Sequence, residues 1–212
     1  MLSFNQLTGQ WVSDNNGNTT VGTSSSASTN PRLPSGTTGA LNNTAVGYGA
    51  LQFNTEGQHN IAIGVNALRR TSGDNNLAIG ENALYDFAAQ PNVVMAGNNN
   101  VAIGNNVMQR NSLGTQNVAM GHQALNNNAT GFMNVAIGNN ALQGSGATGT
   151  GSQNVAIGNQ ALNNNTAGIQ NVVVGMVPDT TTLLGQTTRC WDTMPCRVTR
   201  PGPTMCPSAT AH

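Results

Sequence analysis

A nine-residue phrase recurs along this chain, and no other feature restricts its fold as strongly. The sequence reads NVAIGNNAL from Asn134, NVAIGNQAL from Asn154 and NVAMGHQAL from Asn117. Earlier copies begin at Asn100 (NVAIGNNVM), Asn76 (NLAIGENAL), Asn60 (NIAIGVNAL) and Asn43 (NTAVGYGAL). A last copy at Asn171 (NVVVGMVPD) leaves the pattern at Pro178, and a degenerate one opens at Asn18 (NTTVG). From Asn43 onward successive starts lie 17, 16, 24, 17, 17, 20 and 17 residues apart, a period of about 17 with two insertions. The longer insertion contains Asn92-Val93-Val94-Met95, which reads as a partial coil followed by a shortcut. The shorter carries GSGATGTGSQ, a loop by composition.

Each copy has the same parts. A run such as Val135-Ala136-Ile137 is β-prone, and Gly138 after it supplies the backbone freedom of a corner. Ala141-Leu142 follows and reads as a second brief strand, before a polar Asn/Thr/Gly stretch closes the unit. One such unit cannot bury its own apolar side, so it must stack on its neighbours. Stacked units pair as parallel strands about 4.8 Å apart, and eight coils would make a rod of roughly 40 Å. The expected fold is therefore all-β, a parallel β-solenoid. Hairpins are disfavoured because the strongest short hairpin signal, Asn-Gly, occurs once, at Asn16-Gly17. Helices are disfavoured by a glycine in every unit and by Asn-rich tracts.

Alternation along a strand puts Val135 and Ile137 on one face and Ala136 on the other, so both faces are apolar. The expectation is that the Val/Ile side fills the coil and that an Ala/Gly stripe faces outward, to be covered by self-association. The Ala-Leu segment is expected to form a wetter outer wall, and the recurring Asn to point outward.

Composition removes several classes of function. Only 7% of residues are charged, seven basic against seven acidic, and every basic residue is Arg. Such a chain has no electrostatic footprint for nucleic acid or an anionic membrane. Without Lys no phosphate-binding GxxxxGK loop can exist. No secretory signal is read at the N-terminus, and no apolar stretch approaches the roughly 18 residues of a membrane helix.

The NVAIG units resemble the head repeat of trimeric autotransporter adhesins. That resemblance implies a left-handed parallel β-roll that assembles as a homotrimer. The longer form, NTAVGYGAL to NIAIGVNAL, resembles repeats in tail-fibre and virion proteins of bacteriophages and large algal viruses. The export signal, coiled-coil stalk and anchoring barrel of the adhesins are not read here, so the expectation shifts to a virion protein assembled in the host cytoplasm. It would be a tail fibre taking part in host attachment, with other tail, baseplate or capsid proteins and a host glycan or protein as partners. The alternatives are a capsid-decorating spike without receptor binding, or a bacterial adhesin head.

No catalytic, cofactor or metal site is expected. Glu56 and Asp74 fall at nearly matching repeat positions, and two carboxylates across one cleft would suit glycoside hydrolysis. With Glu81 and Asp86, however, they read as solvated corner residues. His59, His122 and His212 lack the close spacing of a metal pair. Cys190, Cys196 and Cys206 lie in the tail; their odd count leaves at least one unpaired or bonded between chains. Reduced thiols and a Cys190–Cys196 bridge are both compatible with the sequence.

Three regions follow: residues 1–42, an attachment or capping segment with Phe4, Trp11, Pro31 and Pro34; the repeat body, 43–175; and a tail, 176–212, with Arg189, Trp191, Arg197 and Arg200. Both end segments are expected to cap the open edges of the solenoid. By the likeness to phage fibres, the N-terminal segment would dock on the particle.

Overall fold

The computed structural model of the chain describes residues 12–13, 17–21, 40–54, 56–70, 72–85, 97–144, 149–176, 188–191 and 204–205. These residues form a parallel β-solenoid of about seven turns, with no helix among them. Each copy of the repeat contributes one three-residue strand: β3 (Thr44–Val46), β4 (Ile61–Ile63), β5 (Leu77–Ile79), β6 (Val101–Ile103), β7 (Val118–Met120), β8 (Val135–Ile137), β9 (Val155–Ile157) and β10 (Val172–Val174). They pair in sequence order and in strict register, Ala45 opposite Ala62, Ala62 opposite Ala78, and so on to Val173. At about 4.8 Å per step, the seven steps from β3 to β10 span roughly 34 Å.

The sheet continues at both ends. β2 (Thr19–Val21) pairs parallel with β3, while β1 (Val12–Ser13) runs antiparallel to β2. This is the one antiparallel pair among the described strands, and the single Asn-Gly of the chain lies between its members. β11 (Thr188–Trp191) and β12 (Thr204–Met205) extend the parallel stack, with Arg189, Cys190 and Trp191 opposite Val172, Val173 and Val174. β5 and β6 are direct neighbours, so the 24-residue interval between their repeats adds no rung to the sheet; Asn92–Met95 lie outside the described residues.

Three expectations about the faces are corrected. Ala, not Val or Ile, points inward: Ala45, Ala62, Ala102 and Ala136 are fully buried, whereas Ile61 and Ile137 are 42% and 37% exposed. The Ala-Leu segment is neither a strand nor an outer wall. It is a turn whose side chains, Ala141 and Leu142 among them, lie in the core. Its backbone still bonds turn to turn, as where Leu125 N–H donates to the Ala141 carbonyl at 2.9 Å. Finally, the Asn that opens each repeat points inward and is buried. The reason is width. Leu and Asn side chains already occupy the interior, and at the centre of β3 to β9 they leave room for a methyl group; only in β10, the last of these strands, is the place taken by a larger residue, Val173.

The buried asparagines form a continuous ladder. Asn100 Oδ1 accepts the backbone N–H of Asn117 at 3.0 Å and its Nδ2 at 3.2 Å. Asn117 Nδ2 donates across the interior to the Gly131 carbonyl at 2.9 Å, closing its own turn. The same pattern recurs through Asn134, Asn154 and Asn171. Each amide thus satisfies backbone groups that burial would otherwise strand.

Sharp corners in a narrow tube require left-handed backbone. Within each turn, positions such as Asn140, Leu142 and Gln153 adopt φ of 53°, 50° and 59°. Asn is among the non-glycine residues that tolerate this region best, and Asn42, Asn66, Asn75 and Asn99 also occupy it. Leu tolerates it poorly, and holding it there costs about 1–2 kcal/mol. Its full burial, worth about 1.5–3 kcal/mol, offsets that. The corner glycine after each strand has φ between 121° and 135°. A Cβ on Gly138 would also collide with the carbonyl oxygen of Gly158 in the next turn, so glycine is required twice over.

Candidate functional site

Turning Ala inward leaves Val and Ile outside. The strand pairing aligns them into two columns on one sheet face. The first runs Thr44, Ile61, Leu77, Val101, Val118, Val135, Val155, Val172. The second runs Val46, Ile63, Ile79, Ile103, Met120, Ile137, Ile157, Val174. Every one of these residues is half-buried or exposed. Most of these side chains are β-branched, hence stiff at χ1 and favoured in strands, so the face is preorganised. It measures on the order of 300–400 Å² from strand spacing alone, within the range of the largest apolar patch on a typical monomer, a patch that is often functional. Fifteen of the sixteen positions are apolar, and none carries a charge. What such a surface offers a partner is apolar area and shape rather than charge.

The residues singled out for chemistry do not converge. Asp74 Oδ1 accepts the backbone N–H of Gln58 at 2.8 Å, bracing a corner. Glu56 is exposed and stands one residue before Gly57, whereas Asp74 stands one residue after Gly73. The two glycines are stacked, so the carboxylates are two positions out of register rather than across one cleft. Glu81 accepts from Asn105 Nδ2 at 3.2 Å. His59 and His122 are exposed at separate corners, His59 with a ring nitrogen 3.4 Å from Asn42 Nδ2. No group of three His, Cys, Asp or Glu fit to hold a metal occurs among the described residues. Cys190 lies in β11, opposite Val173 in the backbone register. Asp86, His212, Cys196 and Cys206 lie outside the described residues, as do Phe4, Trp11, Pro31, Pro34, Arg197 and Arg200.

Sequence reasoning missed the apolar face by assigning it to the interior. A signal was present in the repeats themselves. The strand centre is Ala in seven successive copies, while its flanks vary among Thr, Ile, Leu, Val and Met. Fixed small size marks a confined position, and variable apolar size marks an open one.

No known family, no curated protein and no solved structure matches this chain.

Proposed function

We propose that this protein is a structural fibre or spike of a virus particle, a homotrimer whose shaft is the solenoid and whose role includes host attachment. One observation carries the oligomer: the two outward apolar columns. They repeat every 4.8 Å or so along about 34 Å. A surface that buries both columns along their whole length must share that spacing and length. A second copy of this chain has both, and rotation about an axis closes the set. The number three and the left-handed coil follow from the likeness to trimeric adhesin heads. The virion comes from the likeness to viral fibre repeats.

Labelling purified particles with an antibody to the solenoid tests the virion reading. A fibre places label on tails or projecting spikes. Label spread evenly over the capsid would favour the decorating protein, and particles without label would end the reading. Deleting residues 1–40 is expected to abolish incorporation, whereas deleting the last 30 or so residues is not. The opposite result reverses the proposed polarity.

A further inference from the structure

Two exposed apolar residues lie off the columns and depart from the repeat at a cost to the fold. Two residues before the buried Asn, several turns place a side chain that accepts a backbone N–H of the preceding turn. Asp74 Oδ1 accepts from Gln58 at 2.8 Å, Asn98 Oδ1 from Asp74 at 2.7 Å, and Ser152 Oγ from Phe132 at 3.1 Å. At the same position Phe132 has no acceptor to offer Thr115 of the preceding turn, and it is 43% exposed. Leu113, at 58%, is the most exposed large apolar residue among those described. Matching positions carry Glu56, Ser72, Thr130, Thr150 and Ala167.

Leu113 and Phe132 belong to adjacent turns of one outer face. Leu113 N–H donates to the Ala129 carbonyl at 2.8 Å, and the Thr115 carbonyl accepts from Met133 at 3.1 Å. Leu113 thus runs beside Thr130, and Thr115 beside Phe132. Gly114 and Gly131 between them are buried, so the other four residues point outward. None of the four is charged, and Phe132 stands three residues before Val135 of the first column, across one corner.

The same two turns hold exposed members of the second column, at the opposite edge of the sheet. Met120 is 39% exposed and Ile137 37%. The corner level with Ile63, the other exposed member of that column, carries polar Gln58 and His59 instead. In an assembly closed by rotation every copy presents the same turns at the same height. Leu113 and Phe132 of one copy are then level with Met120 and Ile137 of the next. Area points the same way. The columns supply on the order of 300–400 Å², whereas a stable interface buries about 800 Å² per partner.

We propose that Leu113 and Phe132 pack on the neighbouring copy of this chain, beside its Met120 and Ile137, and carry the interface round the corner. The proposal rests on the self-association argued above and names a second surface that it uses.

Sedimentation equilibrium of the full chain carrying Leu113→Ser and Phe132→Asn tests it. Ser copies Ser72, and Asn restores the acceptor found at Asn98. At a dilution where the copies separate, the variant should therefore melt no lower than the parent. The dissociation constant of the assembly should nonetheless rise at least tenfold. If the double variant does melt lower, Leu113→Ser alone is held to the same two measurements. A variant that melts like the parent and associates as tightly overturns the proposal, and loss of host attachment without loss of association would assign the patch to another protein. Dissociation by Ile63→Asn/Ile137→Asn but not by this variant refutes the contact alone. A monomeric parent refutes the self-association with it.

Discussion

Asn117 Oδ1 accepts two hydrogen bonds from Asn134 one turn away, from its backbone N–H at 3.0 Å and from its Nδ2 at 3.1 Å. Both residues are fully buried. Asn117→Ala leaves the buried Asn134 N–H without its acceptor, while the Gly131 carbonyl keeps its second donor, Asn128 Nδ2 at 3.1 Å. The stranded N–H costs about 1–3 kcal/mol, and the unfolding free energy is expected to fall by about that much. Denaturant titration measures it; a loss below about 0.5 kcal/mol would mean the ladder contributes little.

Ala119 is fully buried at the centre of β7. Ala119→Leu would force three extra carbons into a filled tube, at a cost of about 1–3 kcal/mol or more. Val118→Ala, one residue away but outward, should change the stability of the separated chain by less than 1 kcal/mol. Thermal melts of the two variants in dilute solution check the inward and outward assignment directly, because the reversed arrangement exchanges the two results.

The period, the parallel stacking and the glycine corners were legible in the sequence, because they follow from recurrence and from what a backbone corner needs. Which face lies inside was not. Alternation says that Val135 and Ile137 share a side, and it is silent on whether that side is the core. Ordinary globular reasoning sends the larger apolar residue inward. Here the interior is set by the space left beside Leu142 and Asn134, and only Ala136 fits. The left-handed backbone at Leu142 was equally hidden, since leucine is among the residues least associated with it.

Met133 occupies a left-handed position, φ 55°, where other turns place Asn42, Asn75 or Asn99. It is 49% exposed, so little burial is lost on replacing it. Met133→Asn should relieve backbone strain and stabilise the protein by about 0.5–1 kcal/mol. A rise in thermal midpoint checks this; a fall would show that the side chain is held by contacts on its outer surface.

Gly138 sits at φ 135° with the Gly158 carbonyl where a side chain would begin. Gly138→Ala is expected to cost more than about 2 kcal/mol, combining backbone strain with a collision between turns. Gly144, outside the corner column and with no left-handed φ, serves as the control. Gly144→Ala should cost clearly less in the same denaturation experiment.

Sedimentation equilibrium of the full chain, beside an Ile63→Asn/Ile137→Asn variant, tests self-association through the outward columns most directly. The parent chain should sediment at three times its 21.8 kDa mass at micromolar concentration. The variant changes two exposed residues, 39% and 37% accessible, and should remain β-rich while shifting towards monomer. A folded, monomeric parent, or a variant as oligomeric as the parent, would contradict the proposed interface.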